Sequence, residues 1–174
     1  MSTQTAVKPN EKASKALHPT KNDLSESIRQ KSIDCLNTTL AGTLDLKTHA
    51  KHAHWNVKGK DFYQLHELFD QLATELEAYI DLIAERITAL GGTALGTVRS
   101  AANVSLLPEY PLGISQGQDH LRALAERYAI LGKQVRESID AADEAGDAGT
   151  ADLYTEVSRG LDQRLWFVEA HLEQ

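Results

Sequence analysis

The sequence predicts an all-α chain, a four-helix bundle with one long crossover, and three observations carry that prediction. Four runs place apolar residues at spacings of three and four, the stripe of an amphipathic helix. A long connection rich in Gly and Pro separates the second run from the third, where a bundle with one crossover needs it. The second run also carries His and acidic residues on a single face, beside its apolar stripe.

Residues 1–22 hold Lys, Ser, Thr, Ala and Asn with Pro9 and Pro19, and show no sustained apolar period. They read as a mobile tail, leaving 23–174 as the bundle. The first helix is expected over 24–56, with Leu24, Ile28, Cys35, Leu36, Leu40, Leu44 and Ala50 on its stripe and Gly42 as a weak point. The second is expected over 61–90, carried by Leu65, Leu68, Phe69, Leu72, Leu76, Ile80, Ile83, Ile87 and Leu90. Asp61 reads as its N-cap and Gly91-Gly92 as its stop. Residues 91–115 form the crossover, and Val98–Leu107 reads as a short helix within it. The third helix is expected over 116–145, with Leu121, Leu124, Tyr128, Leu131, Val135 and Ile139 in phase. The fourth is expected over 150–172, with Leu153, Val157, Leu161, Leu165, Val168 and Leu172.

The polar face of the second helix has a geometry of its own. His66 and Asp70 are four apart, as are Asp81 and Glu85, and at roughly 100° per residue all four fall on one face. One helix cannot gather them, because Asp70 and Asp81 lie about 16 Å apart along the axis. The pair 66/85 and the pair 70/81 share the midpoint 75.5. Two copies of this helix, antiparallel about a two-fold axis near Thr74–Leu76, would set His66 and Asp70 of one against Asp81 and Glu85 of the other. That predicts two identical His/carboxylate clusters per dimer; a solvated polar face is the other reading of the same residues. His54 ends the first helical run, and a chain reversing over Val57–Lys60 brings its imidazole beside the turn of His66. Trp55 is then a bulky, oxidisable neighbour, although packing is the commoner role of a single Trp. Imidazole and carboxylate ligands suit Fe(II). The chain has no Glu-x-x-His, so a di-iron site inside one bundle is not expected.

The net charge is −7, unevenly spread: Lys8, Lys12, Lys15 and Lys21 against Glu11 alone make residues 1–22 +3, leaving −10 for the rest. Four lysines on a tail can engage DNA phosphates without reading sequence; a solubilising extension is the other reading. Glu144, Asp147 and Asp152 cluster with Asp140 and Asp143 around the third-to-fourth turn, an acidic turn that would become a cation funnel if repeated about a three-fold axis. Cys35 stands alone and reads as a small buried hydrophobe; His49 and His52 read as solvated or structural. No apolar run approaches the ~20 residues of a membrane span, and the N-terminus lacks the apolar core of a secretory signal, so a cytoplasmic protein is expected.

The run KHAHWNVKGKDFYQLHELFDQLATELEAYIDLIAERITALGGTALGT resembles the signature of the Dps family, the DNA-binding proteins from starved cells, mini-ferritins of the ferritin-like superfamily. The resemblance extends from about residue 22 to 172 and rests on His54-Trp55-Asn56, His66-Glu67-x-x-Asp70 and Asp81-x-x-x-Glu85-Arg86. It implies a hollow homododecamer of ferritin-like bundles. It implies that His54, His66 and Asp70 of one subunit share iron with Asp81 and Glu85 of its two-fold mate, two clusters per dimer. It implies ferroxidase activity, with Fe(II) oxidised preferably by hydrogen peroxide, ferric oxide stored and DNA protected. It also implies non-specific DNA binding through the Lys-rich tails, a nucleoid association, and an acidic pore near Glu144 and Asp152; Ala148 departs from that pattern, and Asp147 is the expected substitute. Trp55 is expected to act as a sacrificial electron donor. A structural, DNA-compacting shell with little ferroxidase activity is the alternative. A monomeric helical interaction module fits less well, because a monomer has no use for the shared midpoint.

Overall fold

The structure, a computed structural model, describes residues 17–172, and all of its regular elements are helices. Helix α1 spans Glu26–Asn56, α2 Phe62–Ala89, α3 Val98–Val104, α4 Gly117–Ala145 and α5 Ala148–Ala170. Each lies within a few residues of the segment predicted for it. α1 starts after Ser25, whose hydroxyl accepts from the Ile28 N–H, so Leu24 falls outside the helix. α3 begins after Thr97, which caps the Ser100 N–H, and stops before Ser105, whose hydroxyl turns to Asp45. It is therefore shorter than the expected run to Leu107.

α2 begins after Asp61 as predicted, although the Asp61 side chain makes no capping bond. Its end is the glycine pair. Gly91 has φ +86°, and its N–H and that of Gly92 turn back to the carbonyls of Thr88 and Ile87. A Cβ at position 91 would also stand 2.6 Å from the His18 carbonyl. That carbonyl belongs to a strap the sequence reading assigned to the tail. Leu17 packs on the core and the His18 N–H donates to the Gly91 carbonyl at 2.7 Å, so the bundle already includes residues counted in the 1–22 tail. Apolar burial and one satisfied carbonyl hold that segment down.

α1 packs chiefly along α2, α4 along α5, and α1 against α4, while α3 lies on α1. The crossover length follows from helix direction. The Lys58 N–H donates to the Ser115 carbonyl, which sets the start of α2 beside the start of α4. α2 has 28 residues, about 42 Å, and the chain must travel back along it before α4 begins. Leu36, Leu40, Phe69, Leu72, Leu124, Tyr128 and Tyr154 sit at the centre of the core, fully buried. Close approach of α2 and α5 depends on Gly160, where any Cβ would fall 1.8 Å from the Tyr79 hydroxyl. Cys35 is only half-buried, and burial together with the Asp34 carboxylate pushes its thiol pKa up.

Candidate metal centre

α1 and α2 form an antiparallel hairpin, and the tight Val57–Asp61 turn brings His54 back over His66. The Nδ1 of His54 donates to the His66 carbonyl at 2.7 Å, and the Nδ1 of His66 donates to the His54 carbonyl at 2.9 Å. The two rings stack with centroids 3.7 Å apart. A carbonyl accepts only, so both Nδ1 atoms carry the proton, and both Nε2 atoms present a lone pair. This is how metal-binding imidazoles are held, with the second nitrogen donating to a backbone carbonyl. Phe62 leans on the His66 ring at 5.1 Å.

Asp70 follows one turn after His66 on α2. It is half-exposed and paired with Lys51 at 2.6 Å. The hydrogen bond from Lys51 holds its carboxyl below the usual range against a small desolvation penalty, with the Lys51 charge adding to the effect. Lys51 belongs to no motif, yet it lies one turn before His54 and also reaches over the Trp55 ring, 5.6 Å from its centroid. Its i, i+3 and i, i+4 relation to His54 and Trp55 is the only trace of this in the sequence. Trp55 itself is 69% exposed, so core packing within the subunit does not explain it.

Asp81 and Glu85 stand exposed toward the other end of α2. The structure thus brings His54 and His66 together, sets Asp70 one turn further along α2 against Lys51, and leaves Asp81 and Glu85 apart from them. Among the described residues, no three His, Cys, Asp or Glu side chains of one chain are placed to hold a metal ion together. Between the two halves lies an open groove of about 690 Å³, lined by Lys47, Lys51, Asp70, Thr74, Glu77 and Asp81 among others, and centred on the predicted midpoint.

The acidic turn is not uniform. Glu144 and Asp152 are exposed. Asp147 corrects the expectation of a pore-lining residue, because its side chain is 1% exposed and turned inward. It caps α5 through the Thr150 N–H at 3.1 Å and accepts from the hydroxyls of Ser32 and Thr150. It also pairs with Arg86 at 2.6 Å. Burial pushes its carboxyl pKa up, but these hydrogen bonds and the Arg86 guanidinium hold it below the ordinary value. Of the expected DNA-binding lysines, Lys8, Lys12 and Lys15 lie outside the described residues, and Lys21 is exposed on the strap. His49 is buried and paired with Asp45 at 3.1 Å, whereas His52 is partly buried against Tyr110, 5.3 Å between ring centroids. Among the described residues no helix is long and apolar enough to cross a membrane.

Comparison with known proteins agrees with this architecture. A ferritin-like domain model matches residues 33–174. The DNA protection during starvation protein of Agrobacterium fabrum is 46% identical over 157 residues, covering 90% of this chain and 97% of that one. DpsC from Streptomyces coelicolor superposes with a TM-score of 0.88 at 34% identity, covering 92% of this chain and 94% of that one. A Dps protein from Vibrio cholerae O1, described as a member of the ferritin-like diiron-carboxylate superfamily, superposes at 0.85 with 28% identity, over 91% of this chain and 99% of that one. A ferritin-like model spanning most of the chain, and a close relative matched along nearly its whole length, establish that this chain belongs to the Dps branch of the ferritin-like family.

Proposed function

We propose that this protein is a Dps-type ferroxidase and iron-storage cage, with Fe(II) as substrate at sites shared between two-fold-related subunits. The observation that carries the proposal is the His54/His66 pair, whose reciprocal Nδ1 bonds leave two Nε2 lone pairs, with Asp70 one turn after His66 on α2. Asp81 and Glu85 of the mate complete each site across the groove of α2, giving two clusters per dimer. Exposed Leu82 on α2 and Val98, Val104 and Leu106 on the crossover supply apolar surface for subunit contacts, and twelve subunits would enclose the storage cavity. Glu144 and Asp152, repeated about a three-fold axis, line the entry for cations; Asp147 has no part in it.

Hydrogen peroxide is the preferred oxidant in this reading. Two ferrous ions each give up one electron, the O–O bond breaks, and two protons complete two waters. The protein needs no nucleophile. Its two histidines and three carboxylates bind and orient the iron, and their anionic charge favours the ferric product. Consuming ferrous iron and peroxide together removes the reactants that would form hydroxyl radicals near DNA. The tail lysines, Lys8, Lys12, Lys15 and Lys21, bind DNA phosphates non-specifically, and many tails on one cage act together. In this reading the protein acts in the cytoplasm, at the nucleoid.

The test is the double variant Asp81→Ala/Glu85→Ala. Its shell should assemble normally while peroxide-driven ferric absorbance develops about a hundredfold or more slowly. Unchanged oxidation kinetics would sink the site assignment. An assembled wild-type cage that oxidises no Fe(II) at all would favour the structural, DNA-compacting shell.

A further inference from the structure

Beneath the crossover lies a second group of titratable side chains that the iron chemistry does not use. Tyr110 is 4% exposed and His120 is 0% exposed. The Tyr110 hydroxyl meets Nδ1 of His120 at 2.8 Å, while Nε2 of His120 is buried without a partner among the described residues. Counting unpaired groups assigns the protons. If Nδ1–H donated to Tyr110, both the phenolic proton and the bare Nε2 would be left unpaired. If Tyr110 donates to Nδ1, only one N–H is left. The second arrangement strands fewer buried polar groups, so Tyr110 is the donor and Nδ1 the acceptor. Burial, and secondarily His52, push the His120 pKa down, so the ring rests neutral with its Nδ1 lone pair facing the phenol.

The surroundings favour loss of a proton together with an electron. The Arg127 guanidinium lies 5.3 Å from the Tyr110 ring centroid, fixed there by the carbonyls of Glu109 and Ala123. A fixed cation over the ring disfavours a phenol radical cation, so oxidation requires the proton to leave. Asp45, held by His49 and Ser105, places a carboxylate in the same crevice. That crevice, about 590 Å³, is lined by both Tyr110 and Trp55, and His52, one turn before Trp55, makes the edge contact with Tyr110.

We infer that Tyr110 and His120 form a proton-coupled terminus for oxidising equivalents, in which Tyr110 reduces an oxidised Trp55 while its phenolic proton passes to Nδ1 of His120. A one-electron oxidant of the hydroxyl-radical class, arising from stray reaction of Fe(II) with peroxide, takes an electron from the exposed indole of Trp55. The Tyr110 O–H bond then breaks. Its electron restores Trp55, which recovers any lost N–H proton from water, and its proton makes His120 an imidazolium. The hole ends as a neutral phenoxyl in a buried pocket instead of leaving the shell. The source of the oxidant rests on the ferroxidase reading; the relay itself does not.

The test therefore uses no iron. Azide radicals generated by pulse radiolysis oxidise tryptophan in the assembled, full-length protein, and transient absorbance follows the indolyl and phenoxyl signals. Wild type should show indolyl decay matched by phenoxyl growth, slower in D2O. Trp55→Phe and Tyr110→Phe should each lose that growth. His120→Gln, which keeps a hydrogen-bonding side chain, should slow it about a hundredfold, the usual scale for a positioned proton acceptor. Phenoxyl growth unchanged in Tyr110→Phe, with helix content and particle mass intact, overturns the relay. Growth unchanged in His120→Gln overturns the role of His120. Peroxide-driven Fe(II) oxidation measured on the same proteins separates the two ideas: normal oxidation without the relay removes this inference alone, and an intact relay without oxidation removes the ferroxidase reading alone.

Discussion

Asp70 reaches the site already engaged, and its partner sets a prediction at the scale of single residues. Lys51 must release the carboxylate for a metal ion to use it, while it can keep its place over the Trp55 ring. Both members of the pair are partly exposed, so the competition is modest. Lys51→Ala should tighten Co2+ binding to the assembled protein by about threefold, the scale of an exposed ion pair, in a calorimetric titration. Unaltered affinity would show that Asp70 is not a ligand. The two histidines need no such release in the proposed site, since their backbone bonds occupy the nitrogens that a metal ion would not use.

Between helices, one buried polar network joins three elements. Asp147 ties Ser32 of α1, Arg86 of α2 and Thr150 of α5 together, and Arg86 is the residue after Glu85. Asp147→Ala would strand Arg86 and expose the first turn of α5 to a lost cap. We expect a loss of about 3 kcal/mol in unfolding free energy, the cost of breaking a buried pair. The pH dependence has a definite sign. The folded carboxyl titrates below its ordinary value, so its contribution is complete above about pH 4 and disappears as pH falls from there through the lower folded value. Thermal melts from pH 6 to pH 3 should therefore fall more steeply for wild type than for Asp147→Asn. Parallel curves would mean that the carboxylate charge contributes nothing.

At the scale of the assembly, the proposed shared site would have a consequence that no single-chain site has. A His66→Ala/Asp70→Ala subunit and an Asp81→Ala/Glu85→Ala subunit each lack half of every site in their own homodimers. Mixed dimers contain one site built wholly from intact halves. Co-refolded mixtures should recover part of the wild-type Fe(II) oxidation rate, and mixtures shown by mass to contain both chains but without recovered activity would refute the shared geometry. The tail makes a separate prediction. Removing residues 1–16 takes away Lys8, Lys12 and Lys15, so retention of DNA in a gel shift should drop and its steep salt dependence should flatten. Equal DNA affinity with and without the tail would remove the tails from the proposal.

The helices, their order and the length of the crossover were legible in the sequence. Apolar spacing depends on helix geometry alone, and Gly91-Gly92 end α2 through local backbone chemistry. The polar face of α2 was legible for the same reason: residues 66, 70, 81 and 85 share a side of any helix that contains them. Tertiary structure decided what spacing does not encode. Asp147, Glu144 and Asp152 are alike as letters in an acidic turn, but only Asp147 lies where Ser32 and Arg86 converge, so it turned inward and left the other two in water. Lys51 became Asp70's partner, and Tyr110 found His120, because packing brought separate segments within hydrogen-bond reach. Leu17 and His18 joined the bundle through one apolar contact and one carbonyl at the end of α2, more than 70 residues away in sequence. Periodicity specifies which face a residue occupies; only the folded chain specifies what stands opposite it.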